Sequence, residues 1–222
     1  NSVVDAITNN TILVSIMHAN NEIGTIQPIN QIGDICKKNN ILFFVDACQS
    51  FGKLEININT MKIDLLAATA HKLYGPKGIG ILYIRQKDPK VILEMQIDGG
   101  GHERGFRSGT LPVPLIVGFA KAIEISLQNR EFEYNFVGKL RDNLLNGIRG
   151  QHSDVILNGS VENGLSHNLN LCFPELDAET IMMKMKGIAC SAGSACSSMN
   201  LEPSHVIKAI GRNNELAHSA IR

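Results

Sequence analysis

Three short segments near the start of the chain limit the fold more than any other feature. "TILVSIM" (11–17) is rich in β-branched and aliphatic residues, "INQIGDICKKNN" (29–40) carries Ile29, Ile32 and Ile35 or Cys36 at helical spacing, and "ILFFVDA" (41–47) is the apolar run of a buried strand. Strand, helix and strand in this order make a βαβ unit with parallel strands. Two more strand-type runs follow, "DLLAATA" (64–70) and "IGILYIR" (79–85), and then a helical pattern from about Pro112 to Gln128. The expected fold is α/β, a mainly parallel sheet flanked by helices. "IGILYIR" follows its predecessor too closely for a helical crossover, which admits an antiparallel pairing there. Beyond residue 130 come a charged helical stretch, short strand candidates in "SDVILNG" and "HNLNLCF", a helix near 177–186 and a loop of small residues. The chain is therefore divided into a larger part, 1–130, and a smaller α+β domain, 131–222.

Composition narrows the partners. With 44% hydrophobic residues in 222, the chain can bury a substantial core. Its 21 acidic and 21 basic residues balance, which gives no electrostatic footprint for nucleic acid or a membrane surface. Apolar runs such as "ILFFV" and "LPVPLIVGFA" fall far short of the ~20 residues that cross a bilayer. No signal-peptide pattern opens the chain, so a cytoplasmic location is expected, with a mitochondrial matrix as the alternative. The five cysteines, Cys36, Cys48, Cys172, Cys190 and Cys196, are odd in number and lack a Cys-x-x-Cys pair. That argues for reduced thiols rather than a disulfide framework or a zinc site.

Ligands of open α/β sheets gather outside the carboxyl ends of strands, where this sequence places Asp46, after "ILFFV", and Lys72, after "DLLAATAH". Alone, the first reads as a turn or helix cap and the second as a solvated charge. Together they supply what pyridoxal phosphate needs: an amine for its aldehyde and a carboxylate for its ring nitrogen. Gly75, Gly78 and Gly80 of "YGPKGIG" suit a tight turn beside the lysine, and the absence of Gly-Lys-Ser/Thr rules out a Walker A loop.

Five stretches, "HANNEIGTIQPI", "VDACQS", "AHKLYGPKGIG", "GGGHERGFRSGT" and "SAGSACSSMNLEPSHV", together resemble the successive motifs of the cysteine desulfurases, in the class V aminotransferase group of pyridoxal phosphate enzymes. The resemblance implies the fold type I architecture of pyridoxal-phosphate-dependent transferases, with an incomplete large domain and a small C-terminal domain. It implies Lys72 as the lysine that attaches the cofactor and moves the substrate's α-proton, kept partly desolvated for that purpose. Asp46 would pair with the ring nitrogen, Gln49 with the phenolic oxygen, and Asn20 would lie on that same side and near the substrate. Thr69 and His71 would bind the phosphate, and Thr110 would reach the phosphate of a second subunit, which makes the protein a homodimer. Arg222 would grip the substrate's α-carboxylate. Cys196, in "GSAC", would be the nucleophile that takes sulfur as a persulfide and, through it, a shared ligand of a nascent iron–sulfur cluster. Cys190 matches no family site, and neither His18 nor His102 receives a catalytic role.

The implied reaction converts L-cysteine to L-alanine and supplies sulfur for iron–sulfur cluster assembly and tRNA thiolation. An iron–sulfur scaffold protein or a sulfurtransferase would accept the persulfide. Family members are longer at both ends, so the chain is expected to be a fragment with part of its sheet's apolar surface uncovered. A selenocysteine lyase or other class V enzyme remains an alternative, as does a truncated, non-catalytic chain that retains scaffold binding.

Overall fold

The structure is a computed structural model that describes residues 2–193 and 202–222. The chain forms two compact units: one holds residues up to His18 together with Pro28–Arg130, the other Ala19–Gln27 together with Glu131–Arg222.

In the first unit a short helix α1 (Ser2–Ala6) precedes strand β1 (Leu13–Met17), helix α2 (Ile29–Lys38), and strands β2 (Leu42–Asp46), β3 (Leu65–Thr69) and β4 (Gly80–Ile84). The sheet order is β1-β2-β3-β4, with the first two pairings parallel and β3–β4 antiparallel. Helix α2 forms where Ile29, Ile32 and Cys36 fall on one face, and these pack with Phe43, Val45, Ile63, Leu66 and Ala68. Gly33 lets that face close in, because a Cβ there would stand 2.1 Å from the Met61 carbonyl oxygen. Lys37 and Lys38 in the last turn complement the helix dipole.

Phe43 and Val45 are fully buried while Leu42, Phe44 and Asp46 are half-buried, so β2 is sealed on one face only. Apolar side chains lie open at both sheet edges, Leu13 and Met17 on β1 and Ile81 and Leu82 on β4. An ion pair braces the lower end of the sheet: Arg85 Nε lies 3.1 Å from Asp64 Oδ1, and Asp64 Oδ2 accepts the Phe43 amide at 3.0 Å.

Helix α3 (Val113–Gln151) runs for 39 residues, through both the end expected near Gln128 and the change of character at residue 130. No proline interrupts it after Pro114, and Phe132 and Phe136, one turn apart, stack at 5.6 Å. In the second unit β5 (Ile156–Asn158) and β6 (Asn170–Cys172) pair antiparallel. Helices α4 (Ala178–Lys184), α5 (His205–Ala209) and α6 (Asn214–His218) then start on Asp177, Ser204 and Asn213, each capping with its side-chain oxygen. The two-residue strand β7 (Ala220–Ile221) completes the sheet order β5-β6-β7.

Residues 19–27, placed with the first part by the sequence reading, belong to this second unit. Thr25 bridges to Gly164, and Ile23 packs with Cys172, Ile207, Ala217 and Ala220. A polar network is buried beside the sheet: Asn158 Nδ2 donates to Asn170 Oδ1 at 2.8 Å, and Asn158 Oδ1 accepts from Arg212 Nε at 3.0 Å. Among the described residues no helix is long and apolar enough to cross a membrane.

Candidate functional site

In the first unit the two residues singled out at strand ends lie on neighbouring strands. Asp46 closes β2; its Oδ1 accepts the Cys48 amide at 2.9 Å and its carbonyl accepts the His18 amide at 2.8 Å. The turn that follows, in which Ser50 and Phe51 donate to the Ala47 carbonyl, carries a half-buried Gln49. Strand β3 ends at Thr69 and passes directly into a 3-10 turn, Ala70–Leu73.

That turn decides the setting of the lysine. Its three-residue period puts Ala70 and Leu73 on one face, where they are buried against Phe119, and leaves His71 and Lys72 on the other, exposed. Lys72 is therefore open to solvent rather than partly desolvated. Tyr74 ends the turn in the left-handed region at φ 60°, and Gly80 allows β4 to close against β3, since a Cβ there would meet the Ala68 carbonyl oxygen at 2.7 Å. Thr69 Oγ1 and His71 Nδ1 are 2.9 Å apart and share a hydrogen bond.

Cys48 reports on the electrostatics of this corner. Burial pushes its thiol up to about 12, helped by a hydrogen bond to the Asp46 carboxylate and by that group's charge, while the nearby Lys72 ammonium pulls it down. His18, whose amide bonds to the Asp46 carbonyl, is buried, which lowers its pKa, and its Nδ1 has no hydrogen-bond partner among the described residues.

Thr110 stands exposed at the end of a loop that bonds to itself: Gly101 N–H donates to Ser108 Oγ at 3.1 Å, and Gly109 N–H to His102 Nδ1 at 3.3 Å. No hydrogen bond among the described residues ties Thr110 to Asp46, Thr69 or His71. The donor set of the strand ends fits pyridoxal phosphate chemically, with an accessible amine, a carboxylate fixed by a backbone N–H, and a hydroxyl–imidazole pair suited to a phosphate.

The second unit holds Asn20 and Arg222. Asn20 Oδ1 accepts the amides of Glu22 and Ile23 at 2.8 and 3.0 Å, so contact with an acceptor oxygen would fall to its amide nitrogen. Arg222 is half-buried and pairs with Ser191 through both backbone groups, at 2.8 and 3.0 Å. Its Nη1 donates to the Asn21 carbonyl at 2.6 Å and its Nη2 to Ser191 Oγ at 3.5 Å. Cys196, assigned both the nucleophile and a cluster ligand, lies outside the described residues. Among those residues there is no group of three or more His, Cys, Asp or Glu able to hold a metal.

Sequence reasoning passed over Glu22, which is 1% exposed, and Ser204, whose hydroxyl donates to it. A charged residue within "NNEIG" was the available signal for Glu22, whereas nothing in the sequence links it to a position 182 residues away.

The family model for aminotransferase class-V matches residues 1–221. The chain is 51% identical over 217 residues to the cysteine desulfurase IscS of Vibrio cholerae serotype O1, covering 98% of this chain and 53% of that protein. It is 53% identical over 216 residues to the cysteine desulfurase IscS of Histophilus somni, with 97% and 53% covered. Among solved structures, a NifS-like protein superposes with a TM-score of 0.87 at 36% identity, over 99% of this chain and 57% of that one. SspA in complex with cysteine gives a TM-score of 0.77 at 37% identity, over 100% and 60%. The chain thus spans about half the length of the curated relatives it matches.

Proposed function

The chain belongs to the aminotransferase class-V family, and from that premise we propose that it is the lysine- and cysteine-bearing portion of a cysteine desulfurase. The observation that carries the reading is identity of about half over nearly the whole chain to proteins of that activity, together with Lys72 and Asp46 at adjacent strand ends. One structural relative, SspA, is in complex with cysteine, which supports cysteine as the substrate.

Pyridoxal phosphate, the cofactor of this family, would act when bound as an electron sink for bonds at the substrate's α-carbon. Lys72 would hold it through its amine and, once released, carry the α-proton. Asp46, oriented by the Cys48 N–H, would face the ring nitrogen; Gln49 would donate to its phenolic oxygen, with Asn20 on that same side and near the substrate; Thr69 and His71 would bind its phosphate, with Thr110 serving a second subunit's site in a homodimer. Arg222 would meet the substrate carboxylate with two parallel N–H groups. Cys196 would take the sulfur: cysteine and an enzyme thiol become alanine and an enzyme persulfide, with no external oxidant. An acceptor thiol, on an iron–sulfur scaffold or a sulfurtransferase in the cytoplasm, would then remove the outer sulfur.

The test is visible absorption of the purified chain with added pyridoxal phosphate, beside Lys72→Ala, before and after L-cysteine. A band that requires Lys72 and responds to cysteine supports the reading, with alanine as the product to be measured. No such band means that these 222 residues do not hold the cofactor by themselves.

A further inference from the structure

Asn158 and Asn170 face each other across β5 and β6, and each is 1% exposed. A buried amide is costly unless its polar atoms are bonded, and an apolar pair would serve the sheet without that demand. Here the bonds run in one direction. Asn158 Oδ1 accepts Arg212 Nε at 3.0 Å, Asn158 Nδ2 donates to Asn170 Oδ1 at 2.8 Å, and Asn170 Nδ2 donates to the Glu22 carbonyl at 3.3 Å. Asn168 Nδ2 reaches the same carbonyl at 3.1 Å, while its buried Oδ1 has no hydrogen-bond partner among the described residues. Two side-chain amides thus converge on one backbone oxygen.

The turn that receives them is pinned from inside as well. Asn20 Oδ1 accepts the amides of Glu22 and Ile23 at 2.8 and 3.0 Å. A trans peptide is planar, with its C=O and N–H pointing in opposite directions. The peptide between Asn21 and Glu22 has its N–H on Asn20, so its carbonyl points the other way, where it accepts Arg222 Nη1 at 2.6 Å. The next peptide has its N–H on Asn20 and its carbonyl on the two asparagines. Arg222 Nη2 lies 3.5 Å from Ser191 Oγ, at the limit of a hydrogen bond. Among the described residues the Asn21 carbonyl therefore sets the plane of the guanidinium.

We infer that Asn170, supported by Asn158 and assisted by Asn168, is a positioning residue for recognition of the substrate carboxylate: it fixes the Glu22 carbonyl and thereby aims the Asn21 carbonyl that orients Arg222. This rests on the desulfurase reading for the role of Arg222, whereas the hydrogen-bond relay is independent of cofactor and substrate. Every member of the relay belongs to the second unit. Without the Asn170 amide, the Glu22 carbonyl keeps Asn168 alone and its peptide plane rocks about the Glu22 backbone. The Asn21 oxygen then no longer holds the guanidinium fork in one plane. Substrate binding weakens, while cofactor attachment at Lys72 is unaltered.

The experiment compares the full-length cofactor-loaded protein with Asn170→Ala and Asn168→Ala, each also made in an Arg222→Lys background. Asn170→Ala is expected to raise the KM for L-cysteine about tenfold and Asn168→Ala about threefold, the range of one hydrogen bond, with kcat within about twofold of the parent. In the Arg222→Lys background the same substitutions should change KM by less than about twofold, because the bond through which they act is already gone. Exchange of the Arg222 guanidinium protons with water, followed by nitrogen-15 NMR and assigned by the loss of the signal in Arg222→Lys, should quicken about fivefold in Asn170→Ala. An unchanged KM in both variants overturns the inference, as does an equal rise in KM with and without Arg222, which would mark the asparagines as purely structural. Should Asn170→Ala fail to fold, the milder Asn168→Ala decides. A parent protein that forms no alanine from cysteine overturns the desulfurase reading instead; guanidinium exchange then decides the relay, and an unchanged rate in both variants sinks it.

Discussion

The strand-end corner of the first unit and the Arg222 corner of the second unit are built on opposite principles. At the first, Asp46 and Lys72 take their positions from neighbouring strands, and the sheet's hydrogen bonds fix them before any side chain acts. At the second, turns and short helices are tied by side chains: Asn20 to its own turn, Asn168 and Asn170 to Glu22, Ser204 to Glu22, Arg222 to Asn21. A sheet gives rigidity from repeated backbone pairing, so single substitutions there alter chemistry and leave geometry. A side-chain lattice gives position only while each member is satisfied, so a single substitution there alters geometry first.

The sharpest separation is expected at Lys72. On the proposed desulfurase reading, Lys72→Ala should remove cofactor attachment and lower alanine formation by on the order of 10⁴-fold, because the residue would serve as both anchor and proton carrier, with little change in the unfolding midpoint because the side chain is exposed. A marked drop in stability would show that the lysine is structural and break the contrast. Arg85→Met tests the scaffold beneath it. Arg85 and Asp64 have side chains 13% and 10% exposed, and Arg85 Nη2 also donates to the Ile58 and Ile63 carbonyls at 2.7 and 2.8 Å. Leaving Asp64 buried without its partner should cost about 3 to 5 kcal/mol in chemical denaturation. A loss below about 1 kcal/mol would mean that backbone pairing alone holds the strand ends.

This division also governs what could be read in advance. The βαβ unit, the antiparallel β4 and the placement of Asp46 and Lys72 follow from local apolar periodicity and strand ends, which twenty residues of sequence contain. The length of α3 did not, because the passage from one compact unit to the other at residue 130 falls inside the helix, with no helix-breaking residue to separate the two signals. Strand β7 is two residues long and exists only through its pairing with β6. The exposure of Lys72 depends on a 3-10 rather than an α turn, a choice made by the burial of Ala70 and Leu73. Membership of residues 19–27 in the second unit rests on contacts distant in sequence, such as Asn168 and Ser204 to Glu22, 146 and 182 residues apart.

Arg222→Lys probes the second corner. A lysine keeps the charge but loses the paired N–H groups and the bond to the Asn21 carbonyl, so the KM for cysteine should rise about 10- to 100-fold with a smaller fall in kcat. The Lys72-dependent absorption band should be unaffected. Loss of that band in Arg222→Lys would show that the two corners are not separable in function.

The smallest effect concerns the two thiols, Cys48 and Cys196. Cys48 sits beside Lys72, where a cation would ordinarily activate a thiol, yet burial and the Asp46 carboxylate outweigh it and hold the group near 12 instead of 9.0. Because the folded-state value is raised, the native form is the neutral thiol: its contribution is complete below pH 9.0 and is lost as pH climbs toward about 12. Cys48→Ser should therefore flatten part of the alkaline loss of stability while leaving neutral-pH unfolding nearly unchanged. At pH 8, alkylation of Cys48 should run about a hundredfold slower than that of an ordinary thiol, whereas Cys196, if it accepts sulfur, must react at least as fast as one. Equal rates at the two positions would mean that the strand-end corner does not suppress its thiol, and that thiol reactivity does not single out Cys196 as the nucleophile.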